Sequence, residues 1–143
     1  MESEHRLRVL LDANVLFSGF RDRSGTNGRL LLLAADKYQA VVSREVVDEF
    51  VRNLSRKAPF ALVAAEEWFD AVEVEVWDDC EPAAVDVWET LGMKEDSHVL
   101  AIAVEAEVNL ICSGDLKFRE RLHDVANVPK ATSPRELLDL LTL

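Results

Sequence analysis

Cysteine is scarce in this 143-residue chain: the two present, Cys80 and Cys112, are too few for a disulfide framework, and they argue against a thiolate-rich zinc site as well. Cys112 lies inside an apolar run, where a free thiol packs as a small hydrophobe. Long hydrophobic runs are also missing. No stretch approaches the roughly 20 consecutive apolar residues of a membrane-spanning helix, so no membrane association is expected. The opening Met1-Glu-Ser-Glu-His-Arg6 has neither the basic segment nor the apolar core of a signal peptide, and a cytoplasmic location is expected. Internal repeats, low-complexity tracts and inter-domain linkers are absent. At this length one core is comfortable and two are not, so a single domain over residues 1–143 is expected. Basic charge is the last shortage. Sixteen Lys and Arg against 27 Asp and Glu leave a net charge of −11, a field that repels polyanions at long range.

What is present is an alternation of strands and helices. Residues 6–12 end in a continuous apolar run, Val9-Leu-Leu, as expected of a parallel strand covered on both faces. Gly19, Ser24, Gly25 and Gly28 mark a loop, after which Leu30 to Ala35 continue a helix. Ala40 to Ser43 form a short strand, and Ser43 is placed to cap a helix running to about Arg56. Pro59 interrupts, and a helix from Phe60 to Ala71 follows. The alternation from Val72 to Trp77 has the period of a half-exposed edge strand. A helix begins after Pro82 and ends at Gly92, another spans Glu95 to Glu107, and Leu110 opens a buried strand. Finally, Ser133-Pro-Arg-Glu136 places a cap, a first-turn proline and a reciprocal capping glutamate ahead of Leu137, Leu138, Leu140 and Leu141. The pattern predicts an α/β fold, a three-layer sandwich with a central, mostly parallel sheet flanked by helices.

Acids stand at conspicuous places in that pattern. Asp12 closes the first strand, and Asp115 follows the strand that breaks at Ser113-Gly114. In an open α/β sheet, ligands collect outside the carboxyl ends of the strands near the point where strand order reverses. Two acids delivered there suggest a metal pocket. Glu45 and Glu49 lie one turn apart on a helix whose buried stripe is Val46, Val47, Phe50, Val51 and Leu54. Glu49 borders that stripe, Asp48 flanks its other side, and Glu45 points nearly away, explained by the helix dipole alone. Asp96 opens a later helix, with Glu95 as its competitor. Taken singly, Asp12 and Asp96 serve as helix caps and Asp115 as a turn residue. Gathered together, carboxylates repel one another unless a cation is bound, and Mg²⁺ or Mn²⁺ prefers such oxygen ligands.

Four segments resemble those of PIN-domain ribonucleases, in the family's order and over nearly the whole chain. Asp12-Ala-Asn14-Val-Leu16-Phe-Ser18 resembles the opening motif, Ser43 to Glu49 with Phe50 and Leu54 the second, Asp96-Ser-His-Val-Leu-Ala-Ile-Ala103 the third, and Ser113-Gly-Asp115 the fourth. The resemblance implies that Asp12, Glu49, Asp96 and Asp115 bind the metal and that Asn14 and Ser113 support them. Ser113 stands where threonine is more usual, which keeps the hydroxyl. Many small members of the family are toxins of toxin–antitoxin pairs, and the spacing here looks like that group. It further implies a parallel sheet between helices, a single-stranded RNA substrate, an antitoxin partner and a homodimer.

The chemistry expected is Mg²⁺- or Mn²⁺-dependent cleavage of single-stranded RNA, leaving a 5′-phosphate and a 3′-hydroxyl. An acidic protein can serve this end if its basic residues are local. Arg21, Arg23 and Arg29 follow Asp12, Arg52, Arg56 and Lys57 follow Glu49, and Lys117, Arg119 and Arg121 follow Asp115, so they could rim the pocket. His98 reads as structural or peripheral, and Trp68, Trp77 and Trp88 as core or interface. Two rivals stand beside this reading. One is a PIN-like module that binds RNA or a partner without cutting. The other is a phosphatase with a strand-end aspartate nucleophile, which normally wants a second acid where Asn14 stands.

Overall fold

The computed structural model describes residues 6–90 and 97–143. Five strands form one sheet: β1 (Leu7–Leu11), β2 (Tyr38–Ser43), β3 (Glu75–Trp77), β4 (Leu110–Cys112) and β5 (Lys130–Thr132). Every pairing is parallel and the spatial order is β3-β2-β1-β4-β5, with Val9 lying between Ala40 and Leu110. The chain winds outward from β1 through β2 to β3, then crosses back and continues from β4 to β5. Strand order therefore reverses between β1 and β4, and the crevice at their carboxyl ends is the switch point of the fold.

The helices are α1 (Ala13–Arg21), α2 (Thr26–Leu32), α3 (Arg44–Lys57), α4 (Leu62–Val72), α5 (Pro82–Thr90), α6 (Ser97–Glu105), α7 (Leu116–His123) and α8 (Pro134–Leu141); a short 3₁₀ turn at Pro59–Ala61 precedes α4. Because side chains alternate along a strand, β1 feeds two cores. Val9 and Leu11 join Ala40, Val42 and Cys112 beneath α1–α4 and α8, where Phe20, Phe50 and Trp68 pack. Leu10, Val41 and Ile111 face the other way, against Leu100, Ile102, Phe118 and Leu122 of α6 and α7. A strand buried on both sides needs an uninterrupted apolar run, which is why β1 and β4 carry one. The three-layer α/β sandwich expected from the alternation is the fold observed.

The structure corrects several details. Gly19 and Gly28 are not loop residues: Gly19 lies in α1 and Gly28 in α2, and both are buried. A Cβ on Gly19 would stand 2.4 Å from Leu31 Cδ1, and one on Gly28 would stand 2.3 Å from the Arg23 carbonyl oxygen. These glycines permit close approach of the α1–α2 corner, and the loop between the helices shrinks accordingly. Val51, expected in the buried stripe of α3, is exposed, as are Leu32 and Leu140, whereas Val46, Phe50, Leu54, Leu137 and Leu138 are buried. α4 continues through Val72, so the edge strand begins only at Glu75. The helix expected from Glu95 is described from Ser97 onward; Gly92, Glu95 and Asp96 lie outside the described residues.

Two buried aromatics explain how α2 ends inside the protein. Tyr38 Oη donates to the Leu30 carbonyl at 3.0 Å and Trp68 Nε1 to the Leu31 carbonyl at 2.8 Å, so carbonyls near the helix terminus find partners. Trp68 is thereby a core residue. Among the described residues no helix is long and apolar enough to cross a membrane.

Candidate metal centre

At the carboxyl edge of the sheet, four strand-to-helix junctions are capped by side chains. Asp12 Oδ1 accepts the Ala13 N–H at 2.8 Å at the start of α1, and Ser43 Oγ accepts the Val46 N–H at 3.0 Å at the start of α3. Asp115 Oδ1 accepts the Phe118 N–H at 3.2 Å in α7. Ser133 Oγ accepts the Glu136 N–H at 3.1 Å, and Glu136 returns the bond to the Ser133 N–H at 3.2 Å, the reciprocal box that the sequence announces. Each cap satisfies a backbone donor that the helix cannot.

The two junctions at the switch point do more. Ser113, fully buried at the end of β4, donates its hydroxyl to Asp12 Oδ2 at 2.9 Å and accepts the Asp115 N–H at 3.1 Å. Asn14 donates from Nδ2 to Asp12 Oδ2 at 3.3 Å and accepts the Gly114 N–H at Oδ1, 2.9 Å. One hydroxyl and one amide thus lock the end of β1 to the end of β4, and Ser113 uses both its donor and an acceptor lone pair. Arg119 Nη1 donates to the Ser113 carbonyl at 2.7 Å, fixing the turn from below.

These groups floor a pocket of about 390 Å³. Asp12, Asn14 and Asp115 reach it from the switch point, and Glu49 from α3; Ser113 sits beneath. The structure therefore brings together Asp12, Glu49, Asp115, Asn14 and Ser113, while Asp96 lies outside the described residues. Asp48 does not line the pocket, but Glu45 does, contrary to its expected outward direction. Its first-turn position faces across to α6, where His98 Nδ1 lies 2.9 Å from Glu45 Oε2, so His98 is a pocket residue too. The helical wheel relates Glu45 only to its own buried stripe and carries no information about the helix opposite. Phe17 and Asn53 also line the pocket. Each lies one turn beyond a recognised residue, Asn14 and Glu49, and that spacing is the signal that would have found them.

The donor set suits a hard divalent cation: carboxylate and amide oxygens converge, and among the described lining residues there is no Lys or Arg to neutralise them. No cysteine stands among the described lining residues, and burial, and then the charge of Asp12, pushes the Cys112 thiol beneath the pocket up to about 12. Among the described residues no group of three His, Cys, Asp or Glu side chains is already drawn into coordinating geometry. Of the basic residues expected around the pocket, Arg21 and Lys57 lie over the ring of the lining residue Phe17, at 6.0 and 5.8 Å, while Arg23 lies over Phe20 at 4.9 Å.

A doubly wound parallel sheet with an acidic pocket at its switch point defines the structural class. The profile of the PIN domain family matches residues 8–117, from β1 into α7, and the chain belongs to that family. PIN domains are generally nucleases that use divalent metals. The fold is similar to the crystal structure of PAE2754 from Pyrobaculum aerophilum, with a TM-score of 0.64, 16% identity, and 95% of this chain and 96% of that one covered. No curated protein matches the sequence.

Proposed function

We propose that this protein is a Mg²⁺- or Mn²⁺-dependent endoribonuclease acting on single-stranded RNA, with Asp12, Glu49, Asp96 and Asp115 as the metal-holding acids. The observation that carries the proposal is the convergence of Asp12, Glu49 and Asp115 on one pocket at the switch point. Asp96 joins the set through its motif in the sequence. The chemistry such an ion supplies is activation of water and neutralisation of charge on the phosphoryl and leaving oxygens.

The chain's own part is positioning. Asp12 is held at both oxygens, by Ala13 and by Ser113 with Asn14, so its carboxylate is oriented before any ligand arrives. Asn14 spends its amide on Asp12 and Gly114, which weighs against a phosphatase that needs an acid there. Arg21 and Lys57 offer local positive charge at the margin despite the net acidity. The toxin role, an antitoxin partner, a homodimer and a cytoplasmic location are the finer parts of the proposal and rest on the sequence. Exposed Val51, Phe60 and Val63 on and beside α3 and α4 add support for a protein partner.

The test is incubation of labelled single-stranded RNA with Mn²⁺. Wild type is expected to cleave, chelation to abolish cleavage, and Asp12→Asn and Asp96→Asn each to slow it about a hundredfold or more. Cleavage that both substitutions leave untouched would overturn the proposal.

A further inference from the structure

The pocket is chemically graded, and two helices share the gradient. On α1, Asn14 at the acid floor is followed one turn on by Phe17 and a further turn on by Arg21; on α3, Glu49 is followed by Asn53 and then by Lys57. Residues three or four apart share a helix face, so each helix presents a floor residue, a neutral residue and a cation in the same direction. The two series meet in space. Phe17 and Asn53 both line the pocket, and the Arg21 guanidinium carbon and Lys57 ammonium lie over the Phe17 ring, 6.0 and 5.8 Å from its centroid, so a base stacking on that ring displaces them toward its own phosphates. Phe17 is only half-buried, and among the described residues the Asn53 amide has no hydrogen-bond partner in the protein.

An aromatic face, a free amide and two cations are the parts used to hold single-stranded nucleic acid. Bases stack on aromatic rings, an amide can pair with a base edge, and cations track the phosphates. We propose that Phe17 and Asn53 form a nucleotide subsite next to the acid floor, with Phe17 stacking one base, Asn53 hydrogen-bonding its edge, and Arg21 and Lys57 holding the flanking phosphate. The subsite rests on the ribonuclease reading for its ligand and gives that reading a direction: the strand runs from the acids outward along α1 and α3. It also resolves how a chain of net charge −11 holds a polyanion, since binding needs only these two cations placed beside a stacked base.

The experiment uses the full chain and a short single-stranded oligoribonucleotide in which the fluorescent base aminopurine replaces adenine, whose emission is quenched on stacking. Binding is followed with metal chelated, so that the readout is independent of cleavage; a parallel series measures kcat and KM with Mn²⁺. Phe17→Leu, which keeps apolar bulk and removes the ring face, is expected to lose the quench and weaken binding about tenfold, with Phe17→Trp restoring both. Arg21→Gln with Lys57→Gln is expected to weaken binding and flatten its salt dependence while the quench at saturation persists. In cleavage, Phe17→Leu should raise KM with kcat within about threefold, as expected for loss of uniform binding. Quench and affinity unchanged in Phe17→Leu would overturn the subsite even if wild type cleaves RNA. A quench that depends on Phe17 in a protein that cuts nothing would sink the nuclease reading and leave the subsite standing.

Discussion

Compare the junctions at the centre of the sheet with those beside them. Ser43 after β2 and Ser133 after β5 cap their helices with a hydroxyl, and Asp12 after β1 and Asp115 after β4 cap theirs with a carboxylate oxygen. The local task is the same at all four, and serine performs it as well as aspartate. Aspartate adds a second oxygen. At Asp12 that oxygen is braced by Ser113 and Asn14, and Asp115 lines the pocket while its Oδ1 serves the helix. The acids at the switch point therefore exceed what helix formation asks of them, and the excess is what points to ligand chemistry.

The comparison can be broken most sharply with Asp115→Ser. Serine keeps the cap and removes the second oxygen, so melting temperature should hold within a few degrees while Mn²⁺-dependent cleavage falls about a hundredfold. A large loss of melting temperature with activity retained would make Asp115 merely a cap. The reciprocal experiment is Ser133→Ala, which removes one side of the box at α8: stability should drop by about 1 kcal/mol, roughly 3 °C in a thermal melt, with cleavage unchanged.

The smallest effect is expected at the opposite edge of the sheet. Burial alone would raise the Glu75 pKa, but hydrogen bonds from Arg8 and Trp77 and the charge of Arg8 outweigh it and hold the carboxyl below its ordinary range. The pair is about a third exposed, so its contribution is about 1 kcal/mol or less. A carboxyl with a lowered pKa stabilises the fold above its unfolded value and loses that contribution as pH falls through the folded one. The gap between wild type and Glu75→Gln in denaturant melts should be full at neutral pH and close in acid; a gap that widens in acid would reverse the sign of the argument.

Features written in contiguous residues could be read directly. The apolar runs of β1 and β4, the strand-end acids and the Ser133–Glu136 box are local patterns, and each fell where its pattern put it. Features set by a neighbour could not. Glycine signals a loop and a close packing contact with the same letter, so the sequence pattern puts Gly19 and Gly28 in a connection although they belong to helices. Val51 satisfies the stripe of α3, yet it is exposed. Glu45 and His98 meet only because α3 and α6 face each other across the crevice, a relation between segments more than 40 residues apart in the chain.

Gly28 ties the corner to the chemistry. With the Arg23 backbone where its side chain would begin, the turn between α1 and α2 has no room to open, and a methyl there must pry the two helices apart. α1 carries Asn14 near its other end and Phe17 at its middle, so it would act as a lever whose fulcrum is a missing carbon atom. On the proposed nuclease reading, selection on catalysis would reach a residue that touches no ligand, and its hydrogen atom in place of a side chain would count for as much as the acids.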